Sequence, residues 1–85
     1  MIEKEVIVAS EKGLQARAVS QLVKKAMQFK SNIAITYNGK KADAKSLINV
    51  IALKVPNGAT ITISASGNDE VFAVDELVNL VAELE

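Results

Sequence analysis

The amino-acid sequence predicts an α+β protein in which a four-stranded sheet carries three helices on one face. In some segments apolar residues recur every second residue, as in strands, and in others about every 3.6 residues, as in helices. Along the chain these segments follow one another in the order β-α-β-β-α-β-α. The Asn-Gly pair at 38–39 marks a tight hairpin. The strands keep one polar face, which is typical of an antiparallel or mixed sheet covered on one side only.

The first two elements are a strand and an amphipathic helix joined by a short loop. The strand covers residues 2–9, with apolar residues at its even positions except at Lys4. Residues 10–13, Ser-Glu-Lys-Gly, predict the loop. The helix starts at Ala16, and its i, i+3, i+4, i+7 pattern continues to Lys30.

A hairpin and a brief second helix form the middle of the chain. Alternating apolar residues predict a strand at 33–37, and the short, charged segment 40–44 is typical of an edge strand. Ser46 is predicted to cap the helix, since its hydroxyl can accept a hydrogen bond from an N–H two or three residues later. Residues 56–58, Pro-Asn-Gly, end this unit with a turn.

The last two elements are again a strand and a helix. Residues 60–65 alternate most regularly, and residues 67–70 supply a capping residue and two acids for the helix start. The apolar stripe predicted for this helix comprises Val71, Val74, Leu77, Val78, Val81 and Leu84. Periodicity alone leaves a ferredoxin-like fold as an open alternative.

Composition excludes several classes of function. The chain has 85 residues, which is the size of one domain, and we expect residues 1–85 to form it. It contains no cysteine and no histidine, so it offers neither a thiolate metal site nor an imidazole base. Its serines have no histidine to activate them, and no glycine-rich phosphate loop is present. We therefore expect this protein to act as a substrate or binding partner of other proteins, without a metal or cofactor, and not as an enzyme.

Charge and hydropathy exclude two further classes of partner. Ten basic and ten acidic residues give a formal net charge of zero, whereas a nucleic-acid binder usually shows a basic excess. Charges interrupt the first apolar stretch, and no run approaches the roughly 18 apolar residues of a membrane span. We expect a cytoplasmic protein that binds neither nucleic acid nor membrane directly.

The junction between the first loop and the first helix is one candidate site. A helix N-terminus presents free N–H groups that can hold an anion, so Ala16 and Arg17 are candidate anion-binding residues. Arg17 would add a fork of donors suited to phosphate. An ordinary solvated arginine fits the sequence equally well.

Ser46 and the residues after it form the second candidate site. Ser46 is either a helix cap and nothing more or a phosphorylation site, where phosphate would add about −1.5 to −2 charges. The apolar residues Leu47, Ile48 and Ile51 exceed what one buried face can take. They either form an exposed partner surface or are buried under the loop at 54–58.

Two motifs in these regions resemble a known family. Gly13-Leu14-Gln15-Ala16-Arg17-Ala18 and, further on, Ala44-Lys45-Ser46-Leu47-Ile48 are similar to the two motifs of HPr, the phosphocarrier of the sugar phosphotransferase system. The resemblance implies an open-faced β-sandwich with a four-stranded antiparallel sheet and three helices on one face. In the family, a histidine receives phosphate from enzyme I and passes it to enzyme II. Gln15 stands at that position here, and Ala18 stands where proline is usual.

Glutamine at this position together with the serine motif is similar to the catabolite-repression branch of the family. That resemblance implies phosphorylation of Ser46 by HPr kinase/phosphorylase. The modified protein would bind a LacI-type catabolite control repressor as its corepressor, through Ser46, Arg17, Leu47, Ile48 and Ile51. Asn49 and Ile51 stand where the family more often has glycine and methionine. The alternative is a phosphotransferase-system component that docks enzyme I or enzyme II without carrying phosphate.

Overall fold

The structure, a computed structural model, describes residues 1–9 and 13–83. Its elements are β1 (Ile2–Ile7), α1 (Ala16–Ala26), β2 (Asn32–Tyr37), β3 (Lys40–Asp43), α2 (Leu47–Ile51), β4 (Thr60–Ser66) and α3 (Glu70–Glu83). The four strands form one sheet in the order β1-β4-β2-β3, and every neighbouring pair is antiparallel. The predicted fold class and element order are confirmed, with β3 at an edge as expected.

The register of the sheet separates an apolar face from a polar face. Ile63 of β4 lies between Lys4 of β1 and Ile35 of β2, and Ile35 in turn pairs with Ala42 of β3. The isoleucines of this row are buried, together with Leu22 of α1 and Leu77 of α3. The helices therefore cover this face. The opposite face is open and polar, with rows such as Glu5, Thr62, Thr36 and Lys41.

The β2–β3 hairpin turns at the predicted Asn-Gly pair. Asn38 has φ 52° and Gly39 has φ 80°, the left-handed conformation that these two residue types tolerate best. The turn fixes the pairing of Tyr37 with Lys40 and so sets the register of the short edge strand.

Helix α1 ends earlier than its periodicity predicts. It stops at Ala26 instead of continuing to Lys30, and the N–H groups of Gln28 and Phe29 form i→i−3 hydrogen bonds. Phe29 then turns inward, where its ring meets that of Phe72 edge-on with centroids 5.7 Å apart. Tertiary contacts of the segment after Ala26 therefore terminate the helix.

The buried stripe of α3 is rotated relative to the prediction. Ala73, Val74, Leu77 and Val81 are buried, whereas Val71 is 56% exposed. The ion pair between Lys4 and Asp75, with 2.6 Å between Nζ and Oδ1, lies on the same flank as Val71. This pair also explains the charged residue that interrupts the apolar pattern of β1.

The remaining differences are small or lie outside the described residues. β1 and β3 end two residues and one residue before their predicted limits, and β4 extends one residue further. Of the predicted loop at 10–13 only Gly13 is described, and Leu84 also falls outside the described residues.

Candidate functional site

Gly13 and Leu14 anchor the start of α1 to the loop that follows α2. The Leu14 N–H donates to the Val55 carbonyl at 2.9 Å, and the Leu14 side chain is buried. Gly13 has φ 72°, and a Cβ there would lie 2.8 Å from the carbonyl carbon of Pro56. Only glycine fits this close approach of two backbones. The anchor fixes where the next residue, Gln15, emerges at the surface.

Gln15 occupies the N-cap position of α1 but does not cap it with its side chain. Its backbone is extended, with φ −90° and ψ 174°, and its carbonyl accepts the first helical bond from Val19 at 2.9 Å. The side chain makes no capping hydrogen bond. The residue is exposed. Its carboxamide is therefore presented outward and has no role in holding the helix start.

Ala16 and Arg17 form the first turn of α1, as predicted. Both are exposed, and no acidic residue lies in this turn. The Arg17 side chain makes no ion pair or hydrogen bond with any residue in the described ranges. A cation at a helix N-terminus opposes the helix dipole, so this position contributes nothing favourable to the helix itself. Among residues 1–9 and 13–83, neither the first-turn N–H groups nor the guanidinium has a partner, and both are groups that bind anions.

Ser46 precedes α2, but its hydroxyl does not cap the helix. It lies at the N-cap position with an extended backbone, φ −114° and ψ 108°, and makes no side-chain capping bond. The predicted capping role of the hydroxyl is therefore wrong. Among the described residues, Ser46 makes its hydrogen bonds through backbone groups: its N–H donates to the Asp43 carbonyl and its carbonyl accepts from Val50. The half-buried residue is held in place while its hydroxyl stays free of a helix-capping bond.

Two residues that the sequence reasoning missed hold this segment. The Asp43 carboxylate accepts from the Lys45 N–H at 2.9 Å, closing a turn of two residues. The Lys45 ammonium donates to the Phe29 carbonyl at 2.8 Å and so ties the segment to the end of α1. An aspartate two residues before the tied N–H is a recognisable turn signal. The contact with Phe29 has no signal in the sequence.

Helix α2 presents most of its apolar side chains to solvent. Ile48 is 78% exposed, Leu47 41% and Ile51 37%, whereas Val50 is completely buried. The alternative, burial of all of them under the loop at 54–58, is therefore excluded. We call the exposed residues Leu47, Ile48 and Ile51 the α2 patch. Such a continuous apolar group on a polar surface is typical of a partner-binding site.

The two candidate regions are connected through helix packing. Helix α1 packs against α2, and Val50 contributes to the core beneath both. No hydrogen bond or ion pair between described residues joins Arg17 directly to Ser46. The structure therefore places both regions on the helical side of the sheet, with Arg17 unpaired by any residue that the structure describes.

The described residues were compared with the requirements of a metal site and of a membrane-spanning helix. No group of three or more acidic, histidine or cysteine side chains within residues 1–9 and 13–83 could hold a metal ion. No helix in the same ranges is both long and apolar enough to cross a membrane.

Comparisons with known proteins agree with the fold. A family model described as "PTS HPr component phosphorylation site" matches residues 2–83. The chain belongs to the HPr family. It is 44% identical to the phosphocarrier protein HPr of Haemophilus influenzae over 85 residues, covering 100% of both chains. It is 41% identical to the HPr-like protein Crh of Halalkalibacterium halodurans over 81 residues, covering 95% of this chain and 96% of that one.

Solved structures of the HPr family show the same architecture. A crystal structure of HPr-C-His from Thermoanaerobacter tengcongensis superimposes with a TM-score of 0.92 at 34% identity, covering 95% of this chain and 91% of the other. The family is that of the phosphocarriers of the phosphotransferase system. This chain contains no histidine.

Proposed function

We propose that this HPr-family domain, residues 1–85, is a cytoplasmic regulatory protein of carbon catabolite repression and not an enzyme. HPr kinase/phosphorylase phosphorylates Ser46, and the modified protein binds a LacI-type catabolite control repressor as its corepressor. The observation that carries the proposal is the presentation of Ser46. Its hydroxyl caps nothing, and it stands immediately before the exposed α2 patch.

The chemistry of Gln15 excludes the relay of phosphate through this position. An imidazole nitrogen has an available lone pair and forms a phosphoramidate that can pass its phosphoryl group on. The nitrogen of a carboxamide is conjugated with its carbonyl and has no comparable lone pair. Because the chain has no histidine elsewhere, it cannot act as a phosphohistidine carrier. The regulatory serine is then the remaining family phosphorylation site.

The charge and apolar groups suit a switchable interface. Phosphate on Ser46 would add about −1.5 to −2 charges at the border of the α2 patch. A basic partner surface can hold that phosphate with charge-assisted hydrogen bonds, while Ile48 and its neighbours in the α2 patch enter an apolar pocket. Arg17, which is exposed and unpaired among the described residues, supplies a further charged contact. Binding would then require both the modification and the patch.

The first test is the intact mass after two separate incubations. HPr kinase with ATP should add a single phosphate, and enzyme I with phosphoenolpyruvate should add none. Ser46→Ala should abolish the modification, whereas the control Ser66→Ala, which alters an exposed serine at the end of β4, should leave it intact. Absence of phosphate in the kinase reaction would refute the proposal.

The second test measures binding of the purified repressor. Phosphorylated protein should bind, and unmodified protein should bind at least about tenfold more weakly, because charge-assisted contacts to phosphate are lost. Ile48→Ala should weaken binding of the phosphorylated form, while Lys41→Ala, which alters a side chain on the open face of the sheet, should not. Equal binding of modified and unmodified protein would contradict the corepressor role.

A docking role within the phosphotransferase system is the second candidate. It is favoured by the exposed Gln15–Arg17 turn and by the similarity to phosphocarrier HPr proteins. Such a protein would bind enzyme I or enzyme II through this turn and compete with histidine-bearing HPr. Binding of enzyme I that is the same before and after phosphorylation of Ser46, and that is lost in Arg17→Ala, would identify this role.

A further inference from the structure

Strand β1 forms a free edge of the sheet, on the side opposite to Ser46. It pairs only with β4, while β3, which leads toward Ser46, forms the other edge. The Val8 N–H donates to the Ala59 carbonyl, and the Val8 carbonyl accepts from Gly58. Backbone groups alternate along a strand, so those of Glu3, Glu5 and Ile7 point away from β4. These groups have no strand partner among the described residues.

The side chains of the same three residues give this edge an acidic character. Glu3, Glu5 and Ile7 alternate on the open face of the sheet, and all three are exposed, Ile7 by 61%. The nearest cross-strand neighbours on that face are uncharged: Glu3 lies opposite Ser64, and Glu5 lies opposite Thr62. A row of two carboxylates followed by an isoleucine therefore borders the free backbone.

The helical side of the same edge is an apolar shelf. The ion pair between Lys4 and Asp75 shows that the Asp75 flank of α3 lies over β1. Val71 and Val78 lie four residues before and three residues after Asp75, so they share that flank. Val71 is 56% exposed, and Val78 is only partly buried. Ile2 and Val6 of β1, on the same side of the sheet, are also incompletely covered.

We propose that the β1 edge binds an extended segment of a partner protein in which basic residues alternate with aliphatic ones. Such a segment adds a fifth strand beside β1, and its backbone pairs with Glu3, Glu5 and Ile7. Its lysines or arginines lie opposite Glu3 and Glu5 on the open face. Its aliphatic side chains point to the other face and cover the shelf formed by Ile2, Val6, Val71 and Val78.

The charges favour this occupant over a second copy of the chain. When β1 pairs with β1 of another copy in antiparallel fashion around Glu5, the two Glu5 carboxylates lie directly opposite each other. Pairing around Lys4 instead brings Glu3 of one copy opposite Glu5 of the other. Pairing around Val6 avoids this repulsion but places Glu5 opposite Ile7, so it leaves the carboxylates without a cation. Like charges in directly opposed positions destabilise a strand pair. A basic segment removes the repulsion and pairs both carboxylates.

The test uses a blocked octapeptide of alternating lysine and valine, followed by NMR on the full-length protein. Binding should shift the resonances of β1. It should also slow the hydrogen exchange of the amides of Glu3, Glu5 and Ile7, for which the described part of the chain provides no strand partner. An octapeptide with glutamate in place of lysine, and one with alternate N-methylated amides, should fail to produce this protection.

Charge reversal on the protein gives the matched control. Glu3→Lys combined with Glu5→Lys should weaken peptide binding by about tenfold or more, because both cross-strand ion pairs are lost. Glu76→Lys combined with Glu83→Lys makes the same change in net charge on the far flank of α3 and should leave binding within about threefold.

Three results would overturn the proposal. One is binding without protection of the three amides, and another is equal binding of the acidic octapeptide. The third is protection of the same amides in the protein alone together with a dimeric mass in sedimentation, which would assign the edge to a second copy. The test requires neither phosphorylation of Ser46 nor a repressor, so it stands apart from the proposed function.

Discussion

Asp69 joins the start of α3 to the segment between α1 and β2 through Ser31. Its carboxylate accepts from the Ser31 hydroxyl and from the Ser31 N–H, the latter at 3.0 Å. The other carboxylate oxygen accepts from the Lys30 N–H at 2.9 Å. Ser31 is only 1% exposed, so these bonds satisfy polar groups that have little access to water. Asp69 thus orders the chain just before the first central strand.

These bonds predict a specific loss of stability in acid. The Ser31 hydroxyl, followed by the Lys30 N–H, holds the pKa of Asp69 below its ordinary value. Because the folded-state pKa is lower than the unfolded one, the stabilisation is complete above the unfolded pKa. It is lost as the pH falls through the folded pKa, below about pH 4. Asp69→Asn should therefore make the free energy of unfolding fall less steeply with acid.

Urea denaturation at a series of pH values checks this prediction. Some slope should remain in Asp69→Asn, since the Gly67 N–H also lowers the pKa of Glu70. Ser31→Ala should reduce the acid slope of the wild type in the same direction, and the double variant should show less than the sum of the two effects. An unchanged slope in Asp69→Asn would contradict the assignment.

Gly13 should be far less replaceable than another glycine with positive φ. Gly58 has φ 81° and nothing within 4 Å of an added Cβ, so Gly58→Ala should cost only the backbone strain, about 1–2 kcal/mol. Gly13→Ala adds a collision with the backbone at Pro56 and should cost more than Gly58→Ala. Thermal or urea unfolding of the two variants measures the difference. Equal losses of stability in the two variants would show that the backbones at Gly13 and Pro56 can move apart at little cost in free energy.

Truncation of Val50 should reduce the stability far more than truncation of Ile48, although the two residues are only two positions apart on α2. Val50→Ala should reduce the free energy of unfolding by about 1.5–3 kcal/mol, because its side chain is fully buried. Ile48→Ala should change it by less than about 0.5 kcal/mol, because the side chain is mostly exposed. Urea denaturation measures both. A large loss in Ile48→Ala would mean that the α2 patch belongs to the core.

Ser46→Ala should leave the stability nearly unchanged. Removal of a serine that caps a helix typically costs about 1 kcal/mol, but the Ser46 hydroxyl makes no capping bond. Asp43→Ala removes the bond to the Lys45 N–H and should therefore destabilise the protein more than Ser46→Ala does. The comparison is again made by urea denaturation. If Ser46→Ala lowered the free energy of unfolding by about 1 kcal/mol, the Ser46 hydroxyl would cap α2 as the sequence predicted.

Gln15→His should restore at least partial phosphorylation by enzyme I. The exposed position, the N–H groups of the first helical turn and Arg17 are all retained. Intact mass after incubation with enzyme I and phosphoenolpyruvate is the measurement, with Gln15→Asn as the control that adds no imidazole. An unmodified Gln15→His protein would show that another change, such as Ala18, has disabled the site.

Local pattern was sufficient to predict the order of elements and the hairpin. Alternation in β4 and the Asn38-Gly39 turn depend on neighbouring residues and their backbone preferences, so they can be read along the chain. The surplus of apolar residues on α2 raised an exposed patch as one of two alternatives, and only the exposure of Ile48 in the structure decided between them. The family resemblance placed Gln15 and Ser46 within motifs of known spacing.

The contacts that hold the site could not be predicted because they join residues distant in sequence. Helix α1 ends at Ala26, not Lys30, because Phe29 packs on Phe72 and Asp69 takes the next N–H groups. The Ser46 hydroxyl does not cap α2, and Lys45 is tied to the Phe29 carbonyl instead. Periodicity describes which residues share a face, but only packing decides how that face is rotated, as the exposure of Val71 shows.

The sequence by itself determined the secondary-structure order, the absence of a phosphohistidine and the presence of a serine beside apolar residues. The tertiary structure alone decided which apolar residues remain in solvent, which carboxylates hold the backbone and which strand edge is free. The physical reason is that propensity and periodicity act over a few residues, whereas burial and hydrogen bonding depend on segments brought together by the fold.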